Sequence, residues 1–320
     1  MDTSNTVNDE QESVTAVRRP SAAFVTVTWA VIGAIFLSYA GWVLVRWAAD
    51  GGLRLMPQGT SRTSPTRIAL VWAVHVFTLS MVAVCIWFSV RTSRREGRVS
   101  MLAALTFGYF TMFWQDPNFN YSHMTLNLNR EALSVPTWGP YIMGWHGPHP
   151  ELQREHILAS GIIAYALSPI MVWAPWVPLR RFLRTRPHWG TGKTLSLIAL
   201  ACIITDLVLE QIWLLTGLYS FPAMSENWAL FGGHWYRYSV FASLWVAATF
   251  LFAAVAMIER AHCKGTDPWL LAGSQNPWVR LLAGAGLCNV MMFIYIIGFN
   301  LIPAFTDGTM PADTPDYLRP

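Results

Sequence analysis

Of the 320 residues, 53% are hydrophobic and only 12% are charged, and the mean hydropathy is +0.35. An average soluble domain carries about 25% charged residues, so half that value argues against a soluble enzyme and for an integral membrane protein. The net charge of +4 comes from Lys and Arg spread along the chain, whereas a nucleic-acid surface would need them gathered on one soluble face.

Residues 1–20 are polar and acidic before Arg18 and Arg19. A secretory signal begins with a basic stretch, so the segment reads as a disordered tail. Beyond it, apolar runs long enough to cross a ~30 Å hydrocarbon core fall near 23–45, 68–90, 99–115, 157–178, 195–218, 238–258 and 281–302. The expected fold is therefore all-α, a polytopic domain over 21–302 with about seven transmembrane helices and a C-terminal tail at 303–320.

The second span carries His75 in LVWAVHVFTL, ~10 Å from its outer start at 1.5 Å per residue. It is a candidate for orienting a carboxylate or contacting substrate; the alternative is a satisfied packing residue. The third span, the shortest, ends in FWQDPNFNY at 113–121. Pro117 interrupts regular hydrogen bonding there, leaving Asp116 at an irregular helix end. Asp116 is a candidate catalytic group or a simple turn residue. Gln115, Asn120 and Tyr121 add donors and acceptors, and Trp114 offers an apolar wall with a π-face.

The loop 116–156 exceeds the length of a mere connection, which marks it as functional or flexible. It holds His146, His149, Glu151, Glu155 and His156 in HGPHPELQREH. Two prolines and a glycine deny that stretch a single helical face, so no ligand set converges and no metal is expected. Trp138, Tyr141 and Trp145 fit an interfacial aromatic belt. In the fourth span, Pro169, Pro175 and Pro178 predict a kink or an early end. GTGKT at 190–194 resembles the end of a phosphate loop, but Pro187 stands where the pattern needs glycine. A turn and a helix start is the simpler reading.

The fifth span reads TDLVLEQIWLLTGLYSFP at 205–222. Asp206 and Glu210 are i, i+4, so both project from one face with Cβ atoms about 5–6 Å apart. A charge at such depth costs at least ~2.5–3.5 kcal/mol on insertion scales, so both must face the bundle interior. Two close carboxylates in a poor solvent for charge share a proton between them, an acid and a base side by side. The alternative is a polar knot joining helices through Asn289 or Arg237. Trp213 and Tyr219 are expected to wall the same pocket.

Cys85, Cys202, Cys263 and Cys288 have neither zinc nor redox spacing and read as core thiols. With the N-terminus inside, 14 of the 22 Lys and Arg fall on inner segments. The bias predicts a cell-membrane protein with its N-terminus in the cytoplasm.

WQDPNFNY, the following SHMTLNLN and the later PTWGPYIMGW resemble the central segment of the AveC-type spirocyclase family. DLVLEQIWLLTGLYSFP followed by ALFGGHWYRY is similar to its second signature, and the two blocks stand in the family's order. The resemblance implies an integral membrane enzyme of polyketide-type metabolism that closes a dihydroxy-ketone chain into a spiroketal. Asp116, Asn120, Tyr121, Asp206, Glu210, Gly217 and Tyr219 fall on matching positions. The chain departs after HWYRY, where members tend to carry Phe-Pro and an acid near SVFA (239–242). A cofactor-independent cyclase acting on a lipophilic small molecule from the bilayer is the leading expectation. A terpenoid cyclase, a dehydratase and a proton-coupled transporter would use the same acids, although transporters usually show internal repeats that are absent here.

Overall fold

The computed structural model describes residues 21–58, 64–158, 161–186, 188–306 and 308–319. The expected disordered tail at 1–20 lies outside them. Eight α-helices are present among the described residues: α1 Ala22–Ala49, α2 Pro65–Glu96, α3 Met101–Thr111, α4 Ser168–Arg184, α5 Thr191–Leu215, α6 Val240–Val246, α7 Phe252–Lys264 and α8 Pro277–Leu301. A π-helical turn, Ala247–Leu251, joins α6 and α7 into one continuous rod.

Local chemistry sets the helix ends. Ser21, Ser64 and Ser100 accept from the backbone N–H groups of Phe24, Arg67 and Ala103, and Asn276 caps α8 just before Pro277. Gly97 and Gly265 end α2 and α7 in the left-handed conformation.

Among the described residues, five helices are long and apolar enough to cross a membrane: α1, α2, α5, the α6–α7 rod and α8. The expected third and fourth spans are corrected. The third stops after 11 residues at Thr111 and tightens into a 3-10 segment, Phe113–Asn120, that carries Pro117. The fourth begins at Ser168, not 157, and has 17 residues. Its start coincides with Pro169 in the first turn, where a missing N–H costs nothing. It then runs on through Pro175 and Pro178.

Close packing holds α8 at the centre. A Cβ added at Gly33 or Gly286 would strike the backbone of the facing helix across the α1–α8 contact. The same is true of Gly108 and Gly284 across α3–α8. Small residues let apolar helices approach until their backbones touch, the usual means of packing in lipid. At one end of the bundle Asp267 accepts from Arg98 at 2.6 Å and from Arg280 at 3.3 Å. The buried Arg280 also donates to the carbonyl oxygens of Val99 and Leu271.

The other end carries an ordered cap, so the fold is not purely helical. Three short antiparallel pairs build it: β1 Asn127–Leu128 with β4 Tyr219–Ser220, β2 Ser134–Pro136 with β3 Arg154–His156, and β5 Ala229–Leu230 with β6 Tyr238–Ser239. The expected tail after 302 packs into this cap. The Arg130 N–H donates to the Tyr317 carbonyl at 3.0 Å, and the Asn127 side chain donates to the Leu318 carbonyl at 3.0 Å. Trp138 is buried among Trp47, Phe113 and Trp114 rather than belonging to an interfacial belt. Cys85, Cys202 and Cys288 are buried thiols; Cys263 is exposed at the end of α7.

Candidate active site

Under the cap lies a cavity of about 390 Å³. Asp116, Asp206 and Glu210 all reach its wall; apart from them, Tyr165, Ser168, Tyr219 and Tyr295 supply its polar side chains in an otherwise apolar lining with Trp213.

Each carboxylate is held by a phenol. The Tyr165 hydroxyl donates to Asp116 Oδ1. The Tyr238 hydroxyl donates to Asp206 Oδ2 at 2.9 Å, and the Tyr219 hydroxyl donates to Glu210 Oε1 at 2.7 Å. The helical i, i+4 spacing sets Asp206 and Glu210 on one face of α5. Tyr219 returns to Glu210 because the chain reverses at Gly217, whose φ of +72° suits glycine. The polar knot through Asn289 or Arg237 does not form. Asn289 bonds Trp114, Gln115 and Thr111, and Arg237 bonds Glu226 and the carbonyls of Pro222 and Thr309.

Asp116 arrives from a different element. The Trp114 indole and the Gln115 amide both donate to Asn289 Oδ1 of α8, at 2.9 and 3.0 Å. Asn300 of α8 donates to the Asn118 carbonyl at 2.7 Å. These bonds fix the 3-10 segment so that Asp116 turns into the cavity. Asp116 and Glu155 lie outside the five spans. Burial pushes the Asp116 carboxyl up to about 7, against the Tyr165 hydrogen bond, which lowers it. Glu155, behind it in the cap, is raised well above the carboxylate range by burial and then by the charge of Asp116. Thr137 donates to Glu155 at 2.6 Å.

The other expected binding residues do not line the cavity. Trp114 and Gln115 anchor the Asp116 turn. Asn120 folds the start of the cap, its Oδ1 accepting from the N–H groups of Thr125 and Leu126 at 2.9 and 2.8 Å. That turn sends Leu126 and Leu128 to the cavity wall. Tyr121 donates to the Met143 carbonyl at 3.1 Å within the cap. His75 is buried in α2, its Nδ1 2.6 Å from the Val71 carbonyl oxygen. These five are supports, one or more residues removed from the cavity.

Sequence reading missed Tyr165, Tyr238 and Tyr295. Tyr295 lines the cavity from α8, within electrostatic reach of all three carboxylates. The available signal was a tyrosine in an apolar run such as MMFIYIIGF: a buried phenol needs a hydrogen-bond partner, so it marks a polar neighbour across the bundle.

No three His, Cys, Asp or Glu side chains among the described residues form a group able to hold a metal ion. His146 Nδ1 lies 2.8 Å from the Gly144 carbonyl oxygen, and His156 Nε2 lies 2.9 Å from that of Asn129. GTGKT forms the turn into α5, with Gly190 as its N-cap residue.

No curated protein and no solved structure matches this chain. Residues 96–319 match the family described as Spirocyclase AveC-like, a stretch that contains α3 to α8, the cap and every carboxylate of the cavity. The chain belongs to the AveC-like spirocyclase family.

Proposed function

We propose that this protein is a membrane cyclase that closes a dihydroxy-ketone chain of polyketide type into a spiroketal by acid–base catalysis, without a cofactor. The observation that carries the reading is the convergence of Asp116, Asp206 and Glu210, each hydrogen-bonded to a tyrosine, on one largely apolar cavity. Its volume falls in the range of small-molecule sites, about 300–1,000 Å³.

The reaction needs only protons moved at the right atoms. One hydroxyl of the substrate adds to the ketone and gives a hemiketal. A carboxylic acid protonates the hemiketal hydroxyl, water leaves, and an oxocarbenium ion remains. A neighbouring carboxylate stabilises that cation. The second hydroxyl attacks the cationic carbon, and its proton passes to a carboxylate. The balance is one keto-diol in, one spiroketal and one water out, with the enzyme's protons restored. Asp206 and Glu210 supply the paired acid and base on α5, and Asp116 supplies a neutral acid from the 3-10 segment. The apolar lining keeps bulk water from capturing the cation, and the cavity shape selects one chain conformation and hence one face of attack.

The test is turnover of candidate keto-diols by purified protein, with products resolved by chiral chromatography. Asp206→Asn and Glu210→Gln preserve shape and remove ionisation. General acid–base groups contribute about 10²–10⁴-fold, so each variant is expected to lose at least about that factor. The double variant should be little worse than the poorer single one, since groups sharing one proton transfer are not additive. Normal turnover in both single variants would refute the assignment.

A further inference from the structure

The cavity has an opening, and its position says where the substrate comes from. Phe77 and Met81 on α2 and Leu209 and Ile212 on α5 all line the cavity. Yet Phe77 is 54% exposed and Ile212 56% exposed. A side chain that walls a cavity and also lies half open on the outer surface marks a mouth. The helices explain why one exists: α2 packs against α3 and the 164–167 turn, while α5 packs against α4, α6 and α7. Between α2 and α5 a gap remains, bordered on its third side by Ile170 and Met171 of α4.

The gap is closed at its aqueous end. Arg67, in the first turn of α2, donates through Nη1 to the carbonyl of Thr216 at 3.0 Å, just past α5. Its guanidinium lies over the Tyr317 ring at 5.7 Å to the centroid. The roof is sealed as well, since β1 pairs with β4 and the Asn129 amide donates to the Gly217 carbonyl at 2.7 Å. Below the clasp the lining residues named from α2, α4 and α5 are all apolar. Phe77 and Met81 sit about 18 and 24 Å along α2 from its start, at 1.5 Å per residue, so the mouth lies at the depth of hydrocarbon.

We infer that the gap between α2 and α5 is a lateral portal through which a lipophilic, flexible-chain substrate passes from the bilayer core into the cavity. The identity of that molecule as a cyclase substrate rests on the reading above; the route rests on the gap, the Arg67 clasp and the sealed roof. A chain bearing a ketone and hydroxyl groups exchanges hydrocarbon for the carboxylates and phenols inside. Phe77 and Ile212 are then the residues that set which chains pass.

The portal can be tested without turnover. Protein with its four cysteines replaced by alanine receives a reporter, Met292→Cys, on the α8 wall of the cavity, and is reconstituted into liposomes. The probes are a long-chain alkyl maleimide dissolved in the bilayer and a permanently charged maleimide present in water on both faces. The alkyl reagent should label the reporter and the charged one should label it at least tenfold more slowly. Ile212→Trp, alone or with Phe77→Trp, should slow the alkyl reagent tenfold or more, and Phe77→Ala should accelerate it. Labelling by the charged reagent at an equal rate would overturn the inference. So would alkyl labelling indifferent to both size changes, or no labelling of a cysteine that reacts once the protein is unfolded. Asp206→Asn should label like its parent, which separates failure of the portal from failure of the cyclase assignment.

Discussion

A carboxyl group taken out of water and left beside a phenol keeps its proton to higher pH, because burial penalises the anion more than one hydrogen bond restores it. Asp116 is in that position: burial raises it to about 7 and the Tyr165 bond only moderates the rise. The sign for stability follows. The unfolded chain releases this proton near pH 4, while the folded chain holds it until about 7. The contribution is thus fully present in acid and is lost as pH rises across that window. For catalysis, the neutral form is the proton donor, so turnover should fall on a basic limb centred near pH 7. Asp116→Asn should remove that limb along with most of the activity, read from a pH profile of kcat/KM. A mutant that keeps the limb would show that Asp116 donates no catalytic proton. The paired acids on α5 were legible in the sequence because a charge inside an apolar run is costly and must face the bundle interior. Of the phenols only Tyr219 was; Tyr165, Tyr238 and Tyr295 were not, since a tyrosine in such a run also serves packing or the interface. Trp114 and Gln115 misled in the opposite sense: they neighbour Asp116 in sequence, yet the tight 3-10 turn sends them to Asn289 of α8 rather than to the cavity.

The five long apolar helices were readable to within about six residues at each end. The segments at 99–115 and 157–178 were not, because hydropathy records apolar content and not whether it is spent on crossing a bilayer or on packing under a cap. Nor did the order of the loop show in its sequence. Asn127 and Leu128 pair with Ser220 and Tyr219, more than 90 positions later, and two-residue strands carry no periodicity. That pairing joins the cap to the exit of α5 and brings Leu126, Leu128 and Tyr219 to one cavity. Asn129 secures it through two bonds, its amide donating to Gly217 and its Oδ1 accepting from the Glu131 N–H at 2.7 Å. Asn129→Ala removes the amide donor from the buried bond to the Gly217 carbonyl, at about 1–3 kcal/mol. The expected outcome is a melting temperature lower by several degrees, a raised KM and an unchanged far-ultraviolet helical signal. A KM equal to that of the parent would detach the cap from substrate binding.

At the scale of the molecule, the bundle has two chemically different ends. One collects the start of α1, the end of α2, the start of α3 and the α7–α8 connection, tied by Arg98, Asp267 and Arg280 and by the Gly273 N–H donating to Thr26. The basic residues that end α2, α4 and α7 fall on the same side. The other end is the cap. We propose from the positive-inside rule that the basic end faces the cytoplasm; the cap and the cavity would then lie in the outer half of the membrane. The proposed substrate, a polyketide-type chain, is assembled in the cytoplasm, so on that reading an outward cavity reached only through water would be cut off from it. A portal at hydrocarbon depth removes the conflict, since a chain dissolved in the bilayer reaches either leaflet. The orientation itself is open to measurement with single cysteines in whole cells. Thr185→Cys, just beyond α4 and exposed, should react with an impermeant maleimide only after permeabilisation. Met143→Cys, 80% exposed in the cap, should react in intact cells. The reverse pattern would turn the protein over and set the cavity in the cytoplasmic half; the portal would then feed from the inner leaflet, and the basic loops would violate the rule that usually sets topology.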